Sequence, residues 1–242
     1  MDLQLMPIGL DQLAEGVRVS GACAIEDVLA HPSHPATVPF PGRAVSLLAT
    51  PEKGETMNPV DDLAAVLEST GELVAGVSRW DAPTPCSEWT VRELVNHLVL
   101  GHRLFTAVLR GEAGGSLDPR ASDALGDDPV AAYRDAVAGL LSAFRQPGVL
   151  EQVVEVPAGT VPGVAAAHLR IVEELVHGWD LACATGQQAK FEDALVEREI
   201  AFSSAQLAEL PAERSPFAPP VPIEDDAPPL DRLAALLGRS PN

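Results

Sequence analysis

A carboxylate and an imidazole stand four residues apart at Glu173 and His177. On an α-helix this spacing corresponds to about 40° of rotation, so both side chains leave the same face and could bind one metal ion. Glu174 is an alternative carboxylate, and Asp180 could either orient the imidazole or join as a further ligand. Such pairs also occur by chance on surface helices, so the spacing alone does not decide between a metal site and a surface contact.

His97 is the best candidate for a third ligand, because a catalytic zinc ion usually has three protein ligands and one open position. It lies in a second helical pattern, with Leu94, Gly101 and Leu104 on its face, and Gly101 would leave room for an ion. A core histidine with a satisfied hydrogen bond has the same sequence pattern. From the spacing alone, that structural role is the commoner one.

The elements that must position these residues are helices. Apolar residues recur at helical spacing in five segments that open with cap or proline signals or end at glycine. The predicted starts are Asn58, Thr90, Asp128, Val164 and Phe191. Thr90 and Glu93 form a T-x-x-E capping box, and Gly186 ends the fourth and longest helix. The fifth helix is predicted to run to Leu210.

The remaining segments connect or follow these helices. A Gly/Asp/Pro loop over 111–128 is long enough for a crossover connection, and 151–159 carries β-branched valines typical of an extended connector. Residues 215–230 are rich in proline, which disfavours helix, and a short amphipathic helix follows. The predicted fold is an all-α four-helix bundle with a long crossover, a further C-terminal helix and a Pro-rich tail.

The sequence pattern divides the chain into two regions. Residues 1–56 lack a sustained helical period and contain the Pro-punctuated stretch HPSHPATVPFPGR. They are predicted to form an irregular N-terminal extension; the alternative is that Met57 is the true start and these residues lie upstream of it. Residues 57–242 are predicted to form the helical domain with its C-terminal tail.

Composition restricts the partners. The chain has 16 basic and 35 acidic residues, a net charge of -19, which would repel nucleic acid and anionic lipid. The start lacks the features of a secretory leader, and no apolar run approaches the ~20 residues that span a bilayer, so the expected compartment is the cytoplasm. Leu98, Val99 and Leu100 place apolar side chains on more than one helix face, which makes a homodimer plausible.

Two segments carry a family resemblance. TPCSEWTVRELVNHLV at 84–99 resembles one signature of the mycothiol-dependent maleylpyruvate isomerase N-terminal-like family, within the DinB-like metal-binding superfamily, and EELVHGWDLACATGQ at 173–187 resembles a second. The tail from 215 is similar to that of an uncharacterised metal-binding branch. The resemblance covers the chain from Met57 to the C-terminus.

The resemblance implies a DinB-like bundle that binds a divalent metal through His97, Glu173 and His177. Zinc is the expected metal, since it suits this donor set. The resemblance also implies a thiol-dependent transferase or isomerase in which mycothiol, or a similar small thiol, meets an electrophilic substrate at the metal's open position. A non-catalytic metal-binding sensor or accessory protein is the alternative. The isomerase proper has an additional C-terminal domain, which this chain replaces by a helix and tail. Among scattered arginines, only Arg170 is expected to project near the His177 face.

Overall fold

The computed structural model describes residues 58–87, 89–116, 118, 120–157, 159–209 and 217–241. The predicted extension over residues 1–56 lies outside the described residues. Within the described part the elements are α1 (Pro59–Ala75), α2 (Val91–Leu109), α3 (Pro129–Phe144), β1 (Val153–Val156), β2 (Gly159–Pro162), α4 (Gly163–Thr185), α5 (Asp193–Glu209) and α6 (Pro229–Leu236). None of the described helices is long and apolar enough to cross a bilayer.

The helix starts follow the predicted caps. The Asn58 side chain accepts a hydrogen bond from the backbone N–H of Val60, with Pro59 in the first turn. At the start of α2, Thr90 and Glu93 form both hydrogen bonds of a capping box. These bonds satisfy backbone donors that have no partner inside the helix.

Four helices form the bundle. α1 packs on α3 and α4, and α2 packs on the same two helices from the opposite side. α5 and α6 lie against α4, which is therefore the central helix of the molecule. The core is apolar and includes the fully buried Leu63, Leu98 and Leu175. The predicted all-α four-helix bundle is confirmed, with its further C-terminal helix and Pro-rich tail.

The connection between α2 and α3 is the predicted long crossover. It leaves α2 at Arg110, yet its last residues lie beside the first turns of α2, where Asn96 binds Ser122 and Ala124. α3 therefore begins at the same end of the bundle as α2, and the two helices run parallel. A connection between parallel helices must return along the bundle, which explains its length.

The connector before α4 is more regular than expected. β1 pairs with β2 in an antiparallel hairpin, with Val154 opposite Val161 and Val156 opposite Gly159. Val154 and Val156 are buried while Val153 is exposed, the alternation of a strand with one covered face. The second strand, GTVP, is too short and too rich in Gly and Pro to be predicted from sequence.

The apolar positions that suggested a dimer lie inside the bundle. Leu98 and Val99 are fully buried and Leu100 is buried as well. They pack within one chain and so present no free surface to a second copy.

Candidate metal centre

The three predicted ligands come together between α2 and α4. Oε2 of Glu173 lies 3.4 Å from Nε2 of His97 and 3.4 Å from Nε2 of His177. One ligand atom from each residue lies within 4.8 Å of the other two. The three side chains therefore direct their donor atoms at one point.

These separations fit a tetrahedral ion. Zinc binds imidazole nitrogen and carboxylate oxygen at about 2.0–2.2 Å, which places neighbouring ligand atoms of a tetrahedron about 3.3–3.5 Å apart. The observed 3.4 Å lies in that range. It is longer than the usual N–H···O hydrogen bond of about 2.7–3.2 Å. The donor set and its spacing thus suit a small divalent cation.

The site is enclosed. His97 and His177 are each 1% exposed and Glu173 is 8% exposed. The ring of Trp89, which directly precedes the α2 cap, lies 4.6 Å from the His97 ring and 6.0 Å from the His177 ring. Trp89 therefore forms an apolar wall that excludes water from one side of the site.

Asp180 fixes the orientation of His177. Its Oδ2 lies 3.1 Å from Nδ1 of His177, so it accepts a hydrogen bond from the Nδ1–H and leaves Nε2 as the nitrogen that could bind an ion. Asp180 itself is fully buried and is held by Arg239. Of the two roles open to Asp180 from the sequence, the geometry shows the orienting one.

The charges of the histidines and the neighbouring carboxylates shift one another's pKa values. Burial by itself would raise the pKa of Glu173, but the hydrogen bonds and charges of His177 and His97 hold that pKa well below its usual range. Burial would lower the pKa of His177, but the Asp180 and Glu173 carboxylates raise it. An ion binds His177 only through an unprotonated Nε2, so metal binding should weaken as the pH falls.

Glu174 belongs to a different network. Its Oε2 accepts a hydrogen bond from the Tyr133 hydroxyl at 2.8 Å, and its Oε1 accepts one from Nη2 of Arg170 at 3.0 Å. His102 lies beside both, with Nε2 3.4 Å from Glu174 Oε1. Of the two adjacent carboxylates, Glu173 alone therefore faces the histidine pair.

Arg170 belongs to the Glu174 network. Its guanidinium binds Glu174 and lies over the Phe105 ring, 5.2 Å from the ring centre. A Cβ on Gly101 would lie 2.7 Å from Nη1 of Arg170. The glycine thus makes room for a guanidinium and not for an ion.

A family model described as the mycothiol maleylpyruvate isomerase N-terminal domain matches residues 63–182, and this region contains all three predicted ligands. The chain belongs to this family. Its helical bundle is the part of the molecule that defines the membership.

Two uncharacterised proteins of Mycobacterium tuberculosis, from strains CDC 1551 / Oshkosh and ATCC 25618 / H37Rv, are each 37% identical over 159 residues. The matches cover 65% of this chain and 84% of each relative. The likeness thus extends over most of a complete family member.

Solved structures of the family give a more distant likeness. Crystal structures of the mycothiol-dependent maleylpyruvate isomerase and of a point mutant are each 16% identical to this chain, with a TM-score of 0.49. The matches cover 57% of this chain and 65% of the isomerase. The chain thus corresponds to less than two thirds of the isomerase's length.

Two partners of the buried carboxylates of α4 had no signal in the sequence. Arg239 lies in the tail, far along the chain from its partner Asp180, and Tyr133 reaches Glu174 from α3. The pair Arg170 and Glu174 does carry a signal, since residues four apart on a helix face can form an ion pair. That i,i+4 pair overlaps the Glu173–His177 pair along the chain, so the sequence offers two candidate pairs on one helix.

Proposed function

We propose that the protein binds one divalent metal ion, zinc by the chemistry of its donors, through His97, Glu173 and His177. We further propose that it uses the ion in a thiol-dependent transferase or isomerase reaction. The observation that carries the proposal is the pair of 3.4 Å separations around one carboxylate oxygen, which match the edges of a zinc tetrahedron.

Two imidazoles and one carboxylate are a typical catalytic zinc set, because they leave one position open. When bound, the ion would supply a positive charge that lowers the pKa of a thiol at that open position, and thiolate sulfur is a soft donor that suits zinc. Membership of the mycothiol maleylpyruvate isomerase family supports a small thiol of the mycothiol type as the cosubstrate. Its reaction partner would be a small electrophile.

The protein's own groups prepare the site for this chemistry. Asp180 keeps His177 in the tautomer that presents Nε2. Trp89 shields the histidine rings, which strengthens electrostatic interactions in the site. Glu173 keeps its negative charge at neutral pH, since the histidines lower its pKa.

The alternative, a non-catalytic sensor or accessory protein, would be favoured by a fourth protein ligand that closes the coordination sphere. The two candidates from the sequence are both engaged elsewhere. Glu174 binds Tyr133 and Arg170, and Asp180 binds His177 and Arg239. This geometry favours the catalytic form of the proposal.

The test is elemental analysis of the purified protein by plasma mass spectrometry. We expect near-stoichiometric zinc in the wild type and its loss in His97→Ala, Glu173→Gln and His177→Ala. Two matched controls should keep the metal: Glu174→Gln, which changes the adjacent carboxylate, and His168→Ala, which removes a histidine of α4 that pairs with Glu199 of α5. A wild type that binds no metal even after addition would overturn the proposal, as would retention of zinc in the three ligand variants.

A second series tests the thiol. Mycothiol is titrated into zinc-loaded and zinc-free wild type, and binding is followed by calorimetry. Binding that requires zinc supports thiol activation at the metal. Equal binding in both forms, or no binding, would contradict the thiol-dependent reaction while leaving the metal site intact.

A further inference from the structure

The C-terminal segment folds back onto the helix that carries two of the proposed ligands. We define this segment as residues 217–241, which include α6. Leu233 and Leu237 are fully buried. The indole N–H of Trp179 in α4 donates a 2.7 Å hydrogen bond to Asp231. The segment is therefore part of the packed structure beside the site.

The end of α6 sets the backbone position of Arg239. Gly238 has a left-handed conformation with φ of 82°. Its N–H binds the carbonyl of Ala235 and the N–H of Arg239 binds that of Ala234, the two bonds of a Schellman motif. Ala218 lies so close that a Cβ on Gly238 would clash with it. The turn is thus tightly defined, and Arg239 leaves it at a fixed point.

Arg239 binds the carboxylate of Asp180, which orients His177. Its Nη2 donates to Asp180 Oδ2 at 3.0 Å, and its Nε lies 3.3 Å from Oδ1, a two-point contact with both oxygens. The Arg239 side chain is 7% exposed and that of Asp180 is fully buried. The same Oδ2 lies 3.1 Å from Nδ1 of His177. A continuous chain of contacts therefore runs from the C-terminal segment to a proposed ligand.

We infer that Arg239 is a positioning residue for the metal centre: through Asp180 it sets the orientation of His177, and it couples docking of the C-terminal segment to metal binding. The inference rests on the metal site proposed above. It concerns a part of the chain that lies beyond residue 182, where the family match ends.

The coupling has a physical basis in the geometry of a planar guanidinium. The two-point contact fixes the plane of the Asp180 carboxylate, and that plane fixes the direction of the His177 ring. Loss of an outer partner of a metal-binding histidine typically costs about 10–100-fold in metal affinity. Because coupling between two sites is reciprocal, metal binding must stabilise the docked segment by the same factor.

The test measures the zinc dissociation constant by competition with a chelating indicator. Arg239 is one contact further from the ion than Asp180, so Arg239→Ala should weaken zinc binding by about tenfold, the lower end of the range for outer partners. Arg239→Lys keeps the charge without the two-point contact, and we expect an intermediate loss. Asp231→Asn is the matched control. It weakens another contact between the segment and α4 but leaves the contacts from Arg239 through Asp180 to His177 unchanged. It should leave the dissociation constant within about twofold.

A second measurement uses the wild type alone and so does not depend on the folding of any variant. Backbone hydrogen exchange over 229–239 should slow when zinc is added. Unchanged zinc affinity in both Arg239 variants, or exchange in the segment that does not respond to zinc, would overturn the inference while the proposed metal site stands. A wild type that binds no zinc would overturn both.

Discussion

At the scale of single residues, Glu173 and Glu174 are adjacent in the chain but have opposite surroundings. Successive residues of an α-helix are about 100° apart around the axis. Glu173 therefore points at the histidine pair, which lowers its pKa, while Glu174 points into a buried network where burial raises its pKa. One carboxylate stays ionised beside the two histidines, and the other joins α2, α3 and α4 through its buried contacts.

Alanine substitution at two helix glycines, Gly101 and Gly139, should have opposite effects on the stability of the protein. At Gly101 an added Cβ would lie 2.7 Å from the Arg170 guanidinium, so Gly101→Ala should displace that buried group and destabilise the protein by about 1–3 kcal/mol. At Gly139 the nearest atoms are 3.8 Å away on Thr106, so Gly139→Ala should raise stability by about 0.5–1 kcal/mol through its helix propensity. Urea denaturation of the two variants measures both, and equal effects would show that Arg170 has space to move.

At the scale of elements, α4 organises the molecule. It contacts α1, α2, α5, α6 and both strands, and it carries Glu173 and His177 within two turns. α2 supplies the third proposed ligand from the facing side. The site thus depends on the relative placement of two helices, and hence on whatever fixes the start of each.

The capping box of α2 is such a determinant. Thr90→Ala removes the acceptor for the Glu93 N–H at 3.3 Å, and we expect a loss of about 1 kcal/mol of unfolding free energy. Because the cap lies well before His97, zinc stoichiometry should stay near that of the wild type. Thermal unfolding measures the loss of stability, and elemental analysis measures the zinc stoichiometry. Thr90→Ser, which keeps the hydroxyl, is the control and should lose much less.

At the scale of the whole molecule, the acidic excess and the buried network make stability depend on pH. Burial, and then the Arg170 charge, lowers the pKa of His102 well below its usual value. In the unfolded chain this histidine takes up a proton below about pH 6.5, while in the folded protein it does not. The unfolded state then binds more protons, so the contribution of His102 to stability is lost as the pH falls.

The comparison that isolates this contribution is wild type against His102→Asn in metal-free buffer. The wild type should be the more stable at pH 7, and the difference should shrink by up to about 1.4 kcal/mol per pH unit below pH 6.5. Urea denaturation at several pH values between 5 and 7.5 gives the curve. A difference that stays constant would show that His102 titrates alike in both states.

What the sequence determined is mostly local. The caps at Asn58 and Thr90 and the helical spacing of apolar residues predicted the bundle helices, because these signals depend on contacts within one or two turns. The crossover followed from loop length. The types of the three candidate ligands were also readable, and resemblance to a family selected them.

Only the tertiary structure decided the rest, since it depends on which distant segments meet. It separated Glu173 from Glu174 and gave Asp180 its orienting role. It assigned the space at Gly101 to Arg170, and it brought Arg239 from the tail to the site. The Asp180–His177 pair lies within α4, where the local spacing left two roles open. The contacts of Gly101 with Arg170 and of Asp180 with Arg239 join different elements in a buried interior where any polar group must find a partner, so no local pattern encodes them.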